Sequence, residues 1–66
     1  MRRFFVPPDV LGGRDVALPR ELSRRLATVL RLQRGDRVLL ADGLGRDYEV
    51  ELTALTPRSA QAAVVG

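Results

Sequence analysis

The stretch from Leu22 to Asp42, LSRRLATVLRLQRGDRVLLAD, decides the fold of this 66-residue chain. Its first half predicts an amphipathic helix from about Pro19 to Leu30, because apolar residues recur at the spacing of one helical face and arginines fall elsewhere. The residues predicted to face inward are Leu22, Leu26, Val29 and Leu30. Gly35 can adopt a positive φ at no steric cost, so we expect the chain to reverse there and enter a short buried strand over 37–41.

Four other segments predict half-buried strands: the first is aromatic and β-branched, and the other three have apolar residues at alternate positions. The predicted strands cover residues 2–6, 15–18, 47–54 and 60–64. Residues 9–14 are expected to form a loop, and Asp42-Gly43-Leu44-Gly45 predicts a hairpin turn with glycine at positive φ. Residues 1–66 are therefore expected to form one domain of mainly β class, a small β-barrel of about five strands, closed or nearly closed, with one covering α-helix.

The residue types available exclude several kinds of chemistry. The chain contains no cysteine and no histidine, so it has neither a disulfide nor the nucleophile and base of an acyl-transfer enzyme. Asp47, Glu49 and Glu51 share one strand face and could hold a hard cation or act as an acid and base pair, but alternating charges on a strand usually form its solvated side. We predict no catalytic, cofactor-binding or metal-binding residue in this chain.

The charges are distributed unevenly along the sequence. Residues 1–37 contain nine arginines against four acidic residues, whereas residues 38–66 contain two arginines against four acidic residues. All the basic residues are arginine, whose planar fork suits contacts with phosphate and stacking on bases, so a nucleic-acid partner is plausible. A genome rich in G and C would also favour arginine over lysine, and composition alone leaves both explanations open.

Five arginines of the basic half are the candidates for RNA contact. They come from the first strand and from the predicted helix, where they could form a phosphate-binding surface. The candidate RNA-binding residues are Arg2, Arg3, Arg24, Arg25 and Arg31. The alternative is a solvated helix face on a small barrel that serves as a non-enzymatic structural or dimerisation module.

Hydropathy bears on the expected cellular location. The apolar run near the N-terminus stops at Pro7-Pro8 after three residues, which is too short for a signal peptide. No later segment has the ~20 consecutive apolar residues needed to cross a bilayer. We therefore expect a cytoplasmic protein with no membrane partner. The apolar residues just before Gly66 lead us to expect that the natural chain continues into another domain.

Ordered motifs along the whole chain resemble the N-terminal domain of the ribosomal RNA small subunit methyltransferase E family. The matching motifs are Arg3-Phe4-Phe5-Val6, Val29-Leu30-Arg31-Leu32, Arg34-Gly35-Asp36 and Asp42-Gly43, followed by a strand beginning near Tyr48. Many members carry histidine just before the leucine that precedes V-L-R, where this sequence has Arg25. Any role of that imidazole therefore does not transfer to this chain.

The resemblance implies a PUA-like domain that helps to recognise RNA. In that family a larger C-terminal domain of the knotted SPOUT type binds S-adenosylmethionine and methylates uridine N3 of 16S rRNA. The implied partners are small-subunit ribosomal RNA, the protein's own C-terminal methyltransferase domain and, at full length, a second copy in a homodimer. The resemblance also implies that these 66 residues alone are non-catalytic and bind no cofactor.

Overall fold

The computed structural model describes residues 1–66 and contains five strands, a short 3₁₀ turn between the first two strands, and one longer helical segment. The strands are β1 (Arg3–Phe5), β2 (Asp15–Ala17), β3 (Arg37–Ala41), β4 (Asp47–Leu55) and β5 (Ala60–Val64). Between β2 and β3 lies α1 (Arg20–Arg24), which runs directly into a π-helical turn (Arg25–Val29). We call α1 and the π-helical turn together the covering helix. The predicted fold class, mainly β with five strands and one helix, is confirmed.

All five strands belong to one sheet with the spatial order β1-β3-β4-β5-β2. β1 pairs with β3 in parallel, and the other neighbours are antiparallel. β1 and β2 are the two edge strands, yet both contribute to the same core as the central strands and the covering helix. The sheet therefore encloses its core through side-chain packing, without a hydrogen-bonded ladder between β1 and β2. The core residues with the largest side chains are Phe4, Leu18, Leu26, Leu40 and Leu52.

Two turns required glycine, and the structure confirms both. Gly35 has φ 97°, and its amide donates a hydrogen bond to the carbonyl of Leu52 on β4 at 2.8 Å. This bond holds the turn that precedes β3 against β4. Gly43 has φ 75° in the hairpin between β3 and β4. Asp42 Oδ1 accepts hydrogen bonds from the amides of Leu44 and Arg46 there, at 2.7 and 3.3 Å. An Asx side chain that satisfies turn amides in this way stabilises the hairpin.

The alternation predicted for β4 breaks at one position. Leu52 pairs with Ala62 of β5, but Ala54 pairs with Gln61, so β4 contains one extra residue between the two pairs. A β-bulge of this kind reverses the face of every residue beyond it. Ala54 is therefore exposed, where the sequence pattern placed it inside, and Leu55 packs against the core instead.

The helical prediction was right in extent and wrong in period. Leu26 is fully buried and Leu22 and Leu30 pack against the core, but Val29 is 71% exposed. The amide of Leu30 donates to the carbonyl of Arg25 at 3.0 Å, the five-residue step of a π-helix. The wider turn moves Val29 out of the apolar face that a period of 3.6 residues predicts.

Residues 9–14 are more ordered than the predicted loop. Pro8–Leu11 form a 3₁₀ turn, opened by a hydrogen bond from the amide of Val10 to the carbonyl of Pro7 at 3.0 Å. Val10 and Leu11 pack against the core from this turn. None of the helices has the length and apolar composition to cross a membrane.

Candidate nucleic-acid interface

The outer face of the sheet carries a ladder of ion pairs. Arg37 on β3 contacts Glu49 at 3.1 Å and Glu51 at 3.3 Å on β4, and Arg3 on β1 contacts Asp47 at 2.9 Å. The hydrogen bond to Glu49, and then that to Glu51, raises the pKa of Arg37, so the guanidinium stays charged at any physiological pH. The three carboxylates considered as cation ligands are thus all bonded to arginine. No group of three or more acidic residues is placed to hold a metal ion.

A groove of about 790 Å³ lies between β1 and the covering helix. β1 is an edge strand, so its outer side is free of a neighbouring strand and faces the helix across this groove. The lining residues are Arg3, Phe4, Phe5, Pro7, Pro19, Glu21, Leu22, Arg24, Arg25, Thr28 and Val29. The groove therefore combines cations with exposed apolar side chains.

Of the five predicted RNA-binding arginines, the structure brings three to this groove: Arg3, Arg24 and Arg25. Arg24 and Arg25 project from consecutive positions at the junction of α1 and the π-helical turn. Arg3 reaches the groove from β1 but is engaged by Asp47. Arg2 is exposed and lies outside the lining, and its carbonyl accepts a hydrogen bond from the amide of Leu39.

Arg31 is also absent from the groove, for a reason in the backbone. It has φ 52°, the single non-glycine residue at positive φ, and it ends the covering helix. The amide of the next residue, Leu32, turns back to the carbonyl of Leu26 at 2.9 Å, as in helix caps that use a left-handed residue. Arg31 therefore lies outside the groove, and its left-handed backbone follows the C-cap residue Leu30 at the end of the helix. Its contact with RNA stays a prediction.

Two arginines that the sequence analysis did not single out join Arg24. A depression of about 430 Å³ adjoins the groove and is lined by Arg20, Glu21, Arg24, Pro57 and Arg58. Arg58 stands on the turn between β4 and β5, where Thr56 Oγ1 accepts hydrogen bonds from the amides of Arg58 and Ser59 at 3.2 and 3.0 Å. Because Arg58 is distant in sequence from the helix, no local pattern could place it beside Arg20.

The electrostatics of this region differ from those of the sheet face. The three ion pairs of the molecule use Arg3 and Arg37. Four arginines around the groove and the depression, which we call the free arginines, have guanidinium groups that make no ion pair and no hydrogen bond. They are Arg20, Arg24, Arg25 and Arg58. Glu21 is the single acidic residue lining either concavity, so the region carries excess positive charge that suits a polyanion.

A family model matches residues 21–65, more than half of the chain, and describes an RNA methyltransferase PUA domain. The chain belongs to this family. The match includes strands β3 to β5 and the covering helix from Glu21 onward, and these supply three of the four free arginines and one wall of the groove. Curated proteins offer no match to the chain.

Solved structures agree with the PUA fold. A ribosomal RNA small subunit methyltransferase E from Neisseria gonorrhoeae, bound to S-adenosyl methionine, is 33% identical, with a TM-score of 0.83 over 97% of this chain and 27% of that chain. A probable rRNA-methyltransferase from Porphyromonas gingivalis is 27% identical, with a TM-score of 0.81 over 100% of this chain and 26% of that chain.

A methyltransferase from Legionella pneumophila in complex with the cofactor SAM has a TM-score of 0.85 at 17% identity, over 97% of this chain and 26% of that chain. At that identity the likeness shows the fold alone. The PUA domain described here spans about a quarter of the length of each of these solved structures.

Proposed function

We propose that residues 1–66 are the RNA-recognition domain of a small-subunit rRNA methyltransferase that modifies uridine N3. The observation that carries the proposal is the set of free arginines along the groove, in a chain that belongs to the RNA methyltransferase PUA domain family. The likeness to the Neisseria gonorrhoeae enzyme and the ordered motifs support the finer choice of 16S rRNA and uridine N3.

The activity is proposed for a longer protein. In this proposal the domain positions 16S rRNA, and a C-terminal methyltransferase domain of the SPOUT type transfers the methyl group from S-adenosylmethionine. We further propose that the full-length protein is a cytoplasmic homodimer. The names of two longer solved structures support a methyltransferase as the parent protein, and the one from Neisseria gonorrhoeae is bound to S-adenosyl methionine.

The residues of this chain do not fit S-adenosylmethionine. The cofactor carries a sulfonium cation, which the free arginines around the groove would repel. Neither the groove nor the depression is lined by a glycine, so neither offers a glycine-rich loop for close backbone contact with the cofactor. We therefore assign binding of RNA to this domain and no step of methyl transfer.

Binding of a labelled hairpin of small-subunit rRNA tests the domain's role. Arg24→Glu with Arg25→Glu should weaken binding at least tenfold, because two phosphate contacts become repulsive. Arg14→Glu with Arg34→Glu is the matched control, since it makes the same change in net charge at two exposed arginines outside the groove and the depression. Equal affinity of wild type and the Arg24 and Arg25 double variant, with circular dichroism showing both folded, would contradict the proposal.

The finer function has its own test in cells. Deleting the gene should remove N3-methyluridine from small-subunit rRNA, as measured by mass spectrometry of nucleosides. Restoring the full-length gene should return it. If the modification persists after deletion, the parent enzyme acts on another position, although the RNA-binding role of the domain could still hold.

A further inference from the structure

The aromatic ring of Phe5 is exposed beside the arginines of the groove. Its side chain is 75% exposed, and it lines the groove together with Val29, which is 71% exposed. The alternation of β1 explains the direction of the ring, because Phe4 and Val6 on either side are buried in the core. Its register partner on β3 is Ala41, whose single methyl group covers little of the ring. An aromatic face is thus left open beside cations.

The backbone beside Phe5 also lacks a partner. The amide of Val6 donates to Ala41, and the carbonyl of Arg2 accepts from Leu39, so the even-numbered residues of this segment direct their polar groups to β3. In a strand, alternate residues direct these groups to opposite sides. The amides and carbonyls of Arg3 and Phe5 therefore point to the free edge, along the groove, where they can bond to a ligand.

These features favour an unpaired nucleotide over other occupants. A base can stack on the ring of Phe5 and bond to the strand edge, while its phosphates meet Arg24 and Arg25. Paired bases in a duplex keep their faces inside the stack, so an open aromatic ring has little use for them. An acidic peptide would match the charge, but it would leave the planar ring unmatched.

We propose that the groove binds a single-stranded segment of RNA with one base stacked on Phe5. This inference rests on the proposed RNA-binding function and names the form of RNA that the site accepts. Arg24 lines both concavities, so the strand continues from Phe5 over Arg24 into the depression formed with Arg20 and Arg58. The site thus comprises one stacking platform and a row of phosphate contacts.

The test compares a labelled single-stranded RNA with the duplex of the same sequence, using fluorescence anisotropy. Wild type should bind the single strand more tightly. Phe5→Ala should weaken single-strand binding by roughly 5- to 150-fold, the range found when one stacking aromatic is removed. Phe5→Trp should restore it, because indole also stacks. The slope of log affinity against log salt should not change, since no phosphate contact is lost.

Leu44→Ala is the matched control, because Leu44 is also 75% exposed and lies in the hairpin away from the groove. If wild type binds both RNAs equally and Phe5→Ala has no effect, the stacking proposal is wrong and RNA binding by the domain stands. If wild type binds neither RNA, both proposals fail. If Phe5→Ala abolishes self-association in sedimentation and leaves RNA affinity unchanged, Phe5 belongs to a protein contact, which also overturns the stacking proposal.

Discussion

The outer face of the sheet and the groove beside the covering helix both carry arginine, but they use it differently. On the sheet, Arg37 stands directly opposite Glu51 in the β3–β4 register and diagonal to Glu49, so its charge is matched by neighbours on the adjacent strand. Along the groove, Arg24 and Arg25 have no acidic partner. Strand register thus neutralises the charge of Arg37, whereas the charges of Arg24 and Arg25 on the helix stay open to a polyanion.

The ion pairs of the sheet face depend on the hairpin that sets the register of β3 and β4. Gly43→Val should lower the free energy of unfolding by about 1 to 3 kcal/mol, because valine is strained at φ 75° although the space around it is open. Urea denaturation measures the change. Gly12→Val is the control, since Gly12 has φ −76° and should accept valine at little cost. Equal stability of wild type and the Gly43 variant would show that this turn does not hold the register.

The salt dependence of RNA affinity should distinguish the arginines of the groove from those of the sheet face. If the free arginines contact four phosphates of single-stranded RNA, log affinity should fall with log salt at a slope of about −2.8. Raising salt from about 50 to 200 mM should then cost about fifty-fold in affinity. Arg24→Ala with Arg25→Ala should reduce the slope to about −1.4, because two contacts are lost.

Arg37→Ala provides the comparison from the sheet face. Its guanidinium is held by Glu49 and Glu51 and lies outside both concavities, so the slope should match that of wild type. An equal fall in slope for Arg37→Ala and for the groove variants would break the distinction between bound and free arginines. RNA would then contact the sheet face as well.

The parts of this molecule that were predictable are those set by local sequence. Alternation identified β2, β4 and β5, and a short apolar run identified β3. Glycine chemistry identified the turns at Gly35 and Gly43, because each depends on a few adjacent residues. The sequence analysis missed the bulge after Leu52 and the π-helical turn. Each inserts one additional residue into the regular period of its strand or helix, and the tertiary packing accommodates it. The bulge exposed Ala54, and the π-helical turn exposed Val29.

The candidate site was predictable to a smaller degree. Arg24 and Arg25, which the sequence analysis named as candidate RNA-binding residues, line the groove. Arg58 comes from a turn that only tertiary structure brings to the helix. The exposure of Phe5 could have been inferred, since Phe4 and Val6 form the inward half of the same alternation. Whether any arginine contacts RNA stays a prediction.

Arg3 belongs both to the groove and to the sheet face. It gives the prediction with the smallest expected effect, a change in the salt slope when its ion pair is removed. It lines the groove, yet its guanidinium is held by Asp47 at 2.9 Å, with both side chains more than a third exposed. An exposed pair of this kind contributes under about 1 kcal/mol, so Asp47→Asn should leave the fold intact. Freed from the carboxylate, Arg3 should become a fifth phosphate contact and steepen the slope from about −2.8 to about −3.5.

Asp15→Asn is the matched control, because it removes the same charge from an exposed strand residue that has no ion pair and lies outside the groove. A steeper slope in the Asp47 variant alone would show that Asp47 keeps Arg3 away from the RNA, whereas equal slopes in both variants would place Arg3 with the sheet.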